Sequence, residues 1–412
     1  MTRRKGHPPA FRRLMEEAKR NAAGSPPRKH HLVPGSYLQR WAEPDGKGRS
    51  EVRVTEVDEH RSYCVAPKKA ARETDFYRLE HPDIDPDTLP PLLFETYLSK
   101  IEGHAVQAID GLIRHGDTRE LGAETFVLFA MYLGLTATRG REFRTRAHQI
   151  LTDGYKLLYA DVSDKTIVQK LRDHGMEPTD ELIAQHRAFL DGLQTGEIVA
   201  RIEDAQLVLQ SAEMAEDVAE RFVHREWLVY ETPPILVTCD EPVVRVAGPG
   251  APRGERSGVE SSGAVLFPLD PSHLLVMFHP DMAPRGPLVL DHTETAEINQ
   301  EIIAGSTRWA FERPRRKVAE RLTVPPLPPE AMKTEGPLAQ VEGAKGDLYR
   351  QYAPTRWQDD PHAPPWPVAR WWPGWSAHQY PSLANLGHNG RVAYNPEPEP
   401  WRPPRKKKRR RR

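Results

Sequence analysis

The sequence predicts an α+β fold, a helix-rich domain packed on a small, mainly antiparallel sheet with disordered N- and C-terminal ends. Three observations predict it. Apolar residues step by three and four through the stretch from about 92 to 222. The period then shortens to brief alternating runs after Arg225. Both ends lose any period while gaining proline and basic charge.

Taken in order, residues 1–27 read as a disordered basic N-terminus. A short amphipathic helix is expected near Phe11–Arg20, broken by Gly24-Ser25-Pro26-Pro27. A single α+β domain is expected over 28–323. Pro34 suits a first helical turn, so a short helix follows it and stops by Pro44-Asp45-Gly46. Glu51–Val57 alternates with period two and reads as a strand, and Ser62–Ala66 as a second. The first long helix covers about Leu92–His115, with Phe94, Leu98, Ile101, Ala105, Ala108 and Leu112 on one face. One helix over about Gly122–Leu158 begins apolar all round and is therefore central. Amphipathic helices follow at about Thr179–Leu193 and Glu197–Phe222.

Beyond Arg225, five short β-like runs predict the sheet: Glu226–Tyr230, Ile235–Cys239, Val243–Val246, Ala264–Phe267 and Leu274–Phe278. A last helix is expected over Thr293–Phe311, with Trp309 inward and Pro314 as its stop. Residues 324–412 read as a disordered tail. They hold 17 of the 40 prolines and six of the nine tryptophans without a helical or strand period.

Net charge is zero, yet the distribution is uneven. Residues 1–29 carry +7 and the run Arg405, Lys406, Lys407, Lys408, Arg409, Arg410, Arg411, Arg412 adds +8, so the body between is acidic. Basic ends of this kind suit an anionic partner, and nucleic acid is the expected one. The start has no apolar signal region. The longest near-apolar run, Phe126–Leu135, falls short of the ~20 residues that span a bilayer. A soluble cytoplasmic chain is therefore expected, with no membrane partner. Cys64 and Cys239 form no C-x-x-C pair and read as small buried apolar groups.

Five stretches together resemble a bacterial family known as domain of unknown function 4238. They are Lys29-His30-His31-Leu32-Val33-Pro34-Gly35-Ser36-Tyr37-Leu38, Glu73-Thr74-Asp75-Phe76-Tyr77, Leu98-Ser99-Lys100-Ile101-Glu102, Thr238-Cys239-Asp240-Glu241-Pro242-Val243, and Phe267-Pro268-Leu269-Asp270-Pro271 with Ile298-Asn299. The fourth departs from the family's Thr-Ser-Asp-Asn-Pro-Val by Cys239 for serine and Glu241 for asparagine. The resemblance implies one domain with a late sheet and no assigned activity. It singles out Lys29, His31, Glu102 and Asp240.

Those four are the candidate catalytic residues. His31 could act as a base or ligand, or pack at a domain edge. Glu102 lies beside the apolar stripe of its helix, with Glu95 one heptad earlier on nearly the same line. It reads either as an ion-pair partner of Arg139 or Lys29, or with Glu95 and His31 as a ligand set for a divalent metal. Asp240 ends an apolar strand and reads equally as a chemical group or an Asx turn. Arg139, Arg141 and Arg144 read as a solvated face or an anion fork. Asp270 and His273 with Cys239 make only a faint nucleophile set. G-x-S-x-G, P-loop, G-x-G-x-x-G and H-E-x-x-H motifs are all lacking. Two functions fit: a recognition or interaction module whose basic ends contact nucleic acid, or a metal-dependent phosphoester hydrolase.

Overall fold

The computed structural model describes residues 9–23, 28–282, 286–338 and 348–375. They fall in two compact units, one running to Lys333 and resuming at Tyr352, the other holding Thr334–Gln351. The chain opens with helix α1 (Pro9–Ala22), strand β1 (Lys29–His31) and one helical turn, α2 (Gly35–Leu38). Strands β2 (Glu43–Pro44), β3 (Ser50–Glu56), β4 (Arg61–Val65) and β5 (Arg72–Thr74) follow. Next come helices α3 (Leu93–His115), α4 (Ala123–Thr138), α5 (Arg141–Leu158), α6 (Asp164–Asp173), α7 (Asp180–Thr195) and α8 (Asp204–Val223). The late part holds β6 (Glu226–Glu231), β7 (Thr238–Cys239), β8 (Val244–Val246), β9 (Ala264–Asp270), β10 (His273–Phe278), α9 (His292–Gly305), β11 (Trp309–Glu312) and α10 (Val318–Arg321). Strands β12 (Lys333–Leu338) and β13 (Leu348–Tyr352) pair with each other and carry the second unit. The chain is α+β, as its periods predict.

The stripe from Phe94 to Leu112 is buried along α3. Helix α4 packs between α3 and α8. Gly134 permits the close approach to α8, because a Cβ there would overlap the Ala215 carbonyl. The Thr138 hydroxyl seals the contact by donating to the Ser211 carbonyl at 2.9 Å. The single helix expected over 122–158 is in fact two. Gly140 leaves the helical conformation (φ −77°, ψ 178°) and starts α5. Only glycine fits at this break, since the Glu241 carboxyl, far along the chain, occupies the place of a Gly140 side chain.

Strands β6-β10-β9-β8 form an antiparallel sheet buried on both faces. This is why β9 and β10 read as continuous apolar runs. Val265, Phe267, Leu275 and Met277 face the helices α3, α4 and α8. Their neighbours Ala264, Leu266, Leu274, Val276 and Phe278 face a second core with Ile298 and Ile302 of α9. Trp357, Trp366, Trp371 and Trp372 belong to that second core and are all 9% exposed or less. The boundary expected at residue 323 is therefore too early. A Pro/Trp-rich segment needs no period to pack, because its indoles close the open face of a sheet. Helix α1 covers the amphipathic helix expected near Phe11–Arg20. Helix α1 buries Ala18 against the core, and Asn21 donates to the Thr96 hydroxyl of α3 at 3.1 Å.

A second sheet runs β2-β3-β11-β7, with β4 on β3. Strand β11 corrects the expected helix over 293–311, which ends at Gly305. Residues 309–312 pair with β3 on one side and β7 on the other. Tyr37 then ties three of the resembling stretches together. Its hydroxyl lies 2.8 Å from the Thr238 hydroxyl and donates to the Pro268 carbonyl at 2.7 Å. Among the described residues no helix is long and apolar enough to cross a membrane.

Candidate functional site

Strand β1 pairs antiparallel with β5, setting Lys29 opposite Thr74, His30 opposite Glu73 and His31 opposite Arg72. Alternation along so short a strand sends neighbours to opposite faces. His30 points inward and is fully buried. Its Nδ1 accepts the Tyr77 backbone N–H at 2.8 Å, and its ring stacks on Tyr77. Sequence reasoning weighted His31 and missed this histidine. Lys29 is exposed. His31 is half-buried, with Nε2 donating to the Lys68 carbonyl at 2.9 Å. Burial holds the His31 pKa below its usual value, against the pull of that carbonyl.

Glu102 comes from α3 and Arg139 from the end of α4. Arg139 Nη1 donates to Glu102 Oε1 at 3.0 Å, with the arginine side chain 1% exposed and the glutamate 22%. Arg139 Nε and Nη2 have no partner among the described residues. Burial opposes the Arg139 charge, but Tyr77, Glu102 and Tyr132 facing it raise its pKa. Glu95 is pushed up to about 7 by burial and by Glu102, while Arg139 and Arg72 pull the other way. His31, Glu95, Glu102 and Arg139 thus lie within electrostatic range of one another. Yet among the described residues no group of three His, Cys, Asp or Glu is placed to hold a metal ion. The expected set of Glu95, Glu102 and His31 does not form one, because Glu102 faces Arg139 and His31 faces a carbonyl.

Asp240 belongs to other partners. Its carboxylate accepts the backbone N–H groups of Thr307 at 3.0 Å and Arg308 at 2.8 Å. It therefore fastens β7 to the start of β11. Burial raises it to about 6 in spite of those donors. Lys29, His31, Glu102 and Asp240 do not share partners as one catalytic set requires. Arg141 pairs with Glu73 and lies over the Trp309 ring, and Arg144 lies 3.6 Å over Phe76. Neither is a solvated face. Asp270 and His273 pair across the β9–β10 hairpin at 2.9 Å, while burial keeps the Cys239 thiol protonated. The run Arg405–Arg412 lies outside the described residues.

Past Gly140 a second polar group assembles. Glu142 of α5 meets Arg146 at 2.8 Å, Arg256 at 2.5 Å and Arg245 at 3.7 Å. These three guanidiniums overcome burial and hold its pKa well below the usual range. Its neighbour Glu241 accepts the Glu142 backbone N–H at 3.2 Å, at the start of α5. Burial, then the charges of Glu142 and Asp240, push Glu241 up to about 8. Two adjacent carboxyls therefore differ in charge at neutral pH.

Beside them opens a cleft of about 40 Å³, lined among others by Glu241, Arg245, Arg253, Arg256, Trp357 and Trp366. Arg253 pairs with Glu301 and lies 4.0 Å over the Trp366 ring. No motif announces this cleft. Arg245 sits in the expected strand β8, but Arg253 and Arg256 sit in a Gly/Pro-rich loop without period, and the tryptophans in the segment read as tail. A family model described as a protein of unknown function (DUF4238) matches residues 29–316, and the chain belongs to that family. No curated protein and no solved structure matches it.

Proposed function

We propose that this member of the family is a recognition module whose motif residues hold its N-terminal segment in place and whose basic ends contact nucleic acid. The observation that carries this reading is that the motif's polar groups are engaged inside the protein. Glu102 holds Arg139, Asp240 holds two backbone N–H groups, and His31 holds the Lys68 carbonyl. Groups so engaged fix the fold and are poorly placed to bind a reacting atom. The alternative, metal-dependent phosphoester hydrolysis, asks Lys29, His31, Glu102 and Asp240 to share one ligand. The exposure of Lys29 and the separate partners of Asp240 speak against it.

The nucleic-acid part of the reading rests on charge alone. Arg405–Arg412 supplies eight cations next to one another. Each phosphate neutralised on a duplex steepens the salt dependence of log K by about 0.9. The test is binding of a short labelled DNA duplex by the full chain and by a chain ending at Pro404, across a salt series. The full chain is expected to bind at least about tenfold tighter at low salt, with a steeper slope. Equal affinities and equal slopes would remove nucleic acid as the partner of this end.

A further inference from the structure

We propose that the cleft between β8, the loop after it and the segment carrying Trp357 and Trp366 is a binding site for a small organic carboxylate. Three observations support it. The first is an excess of donors. Trp357 is 5% exposed, yet its indole N–H finds no acceptor among the described residues. Arg253 Nε and Nη1 are unmatched in the same way, although its Nη2 holds Glu301. The Ser257 hydroxyl, also on the cleft wall, is a further unmatched group. Leaving such donors bare costs about 1–3 kcal/mol each, so a site that concentrates them calls for an acceptor.

Size is the second observation. The cleft measures about 40 Å³. A water needs roughly 10–15 Å³, so the cleft has room for a small group such as a carboxylate. Charge is the third. Arg245, Arg253 and Arg256 line the cleft, and the Arg253 N–H groups left over from its pair with Glu301 offer donors to an anion. The faces of Trp357 and Trp366 give the ligand's carbon part an apolar wall. A guanidinium already fixed by Glu301 and by the Trp366 face loses little freedom on binding. This site stands or falls independently of the basic ends.

The experiment follows the indole N–H resonances of the full chain by NMR while acetate is titrated at constant ionic strength, with inorganic phosphate as the second arm. A saturable shift of the Trp357 indole signal is expected with acetate and not with phosphate. Arg253→Gln should weaken it at least tenfold, and Arg253→Lys, which keeps the charge, should weaken it less. Trp357→Phe keeps the ring and assigns the signal by its loss. The Lys165→Gln variant, at an exposed position on α6, should titrate like the unmodified chain. A linear drift common to both anions, or a saturable shift that survives Arg253→Gln, would overturn the proposal. An unchanged spectrum would overturn it too, and would mean that water alone satisfies these donors.

Discussion

Arg139 and Glu142 are three residues apart, yet they sit in polar groups built on opposite plans. On the Arg139 side, one buried guanidinium meets one half-buried carboxylate and keeps Nε and Nη2 unmatched among the described residues. On the Glu142 side, one carboxylate serves three guanidiniums, and a second carboxyl beside it is left neutral. Gly140 separates the two by breaking what would otherwise be one helix. The difference teaches that burial alone does not decide the charge of a group. The number of partners it can reach does, and a single backbone break sets that number.

Substitutions around Gly140 should differ in severity. Glu142→Ala should be the most severe. It strands Arg146, Arg245 and Arg256 together, and breaking a buried pair from one side costs about 3–5 kcal/mol. Urea unfolding reads this directly, and a loss under about 1 kcal/mol would refute the three-to-one arrangement. Asp240→Ala strands the N–H groups of Thr307 and Arg308 at the β7–β11 junction. A loss of about 2–4 kcal/mol is expected, at 1–3 for each bare group and partial access of water. Gly140→Ala forces a Cβ against the Glu241 carboxyl and should cost about 1–3 kcal/mol. Adding Glu241→Ala should return much of that loss. If it returns none, the loss does not come from a clash with Glu241.

The last effect is in pH, and it accumulates over several units. Glu95 rises from 4.5 to about 7, Asp240 from 3.8 to about 6 and Glu241 from 4.5 to about 8. The folded chain then holds protons that the unfolded chain has released, so these groups favour folding most at low pH. Their contribution fades as pH rises from about 4 through 8, by at most ~1.4 kcal/mol per pH unit for each proton. Glu142 acts oppositely. Its folded pKa is lowered, so its contribution is present above 4.5 and is lost as pH falls below that value. Glu241 is faced by Glu142, Asp240, Arg256 and the Thr307 hydroxyl, and Glu241→Gln should flatten the alkaline arm. An unaltered slope in that variant would show that Glu241 keeps no proton in the folded chain.

How much of this could be read from the residues follows physical lines. The stripe on α3 and the runs from Glu226 to Phe278 were legible because their periods come from local geometry. The Arg139–Glu102 pair was legible for the same reason, as one of the partners Glu102 could take beside its stripe. Strand β11 was not, since only the single Gly305 marks the end of the helix before it, and Trp309–Glu312 is held extended between β3 and β7. The crowding of Gly140 by Glu241 joins residues far apart in the chain. The Glu142 group and the cleft bring Arg245 of an expected strand together with Arg253 and Arg256 of a loop without period. Composition marked the segment after Val324 as tail, although its tryptophans complete a core.

The central claim is that the motif carboxylate Glu102 holds the fold through Arg139. Its most direct test is a double-mutant cycle in urea unfolding, with Glu102→Gln, Arg139→Met and the pair together. The account predicts a coupling of about 2–3 kcal/mol, with the double variant more stable than the sum of the single losses allows. Additivity within about 0.5 kcal/mol would contradict it and return Glu102 to the search for chemistry.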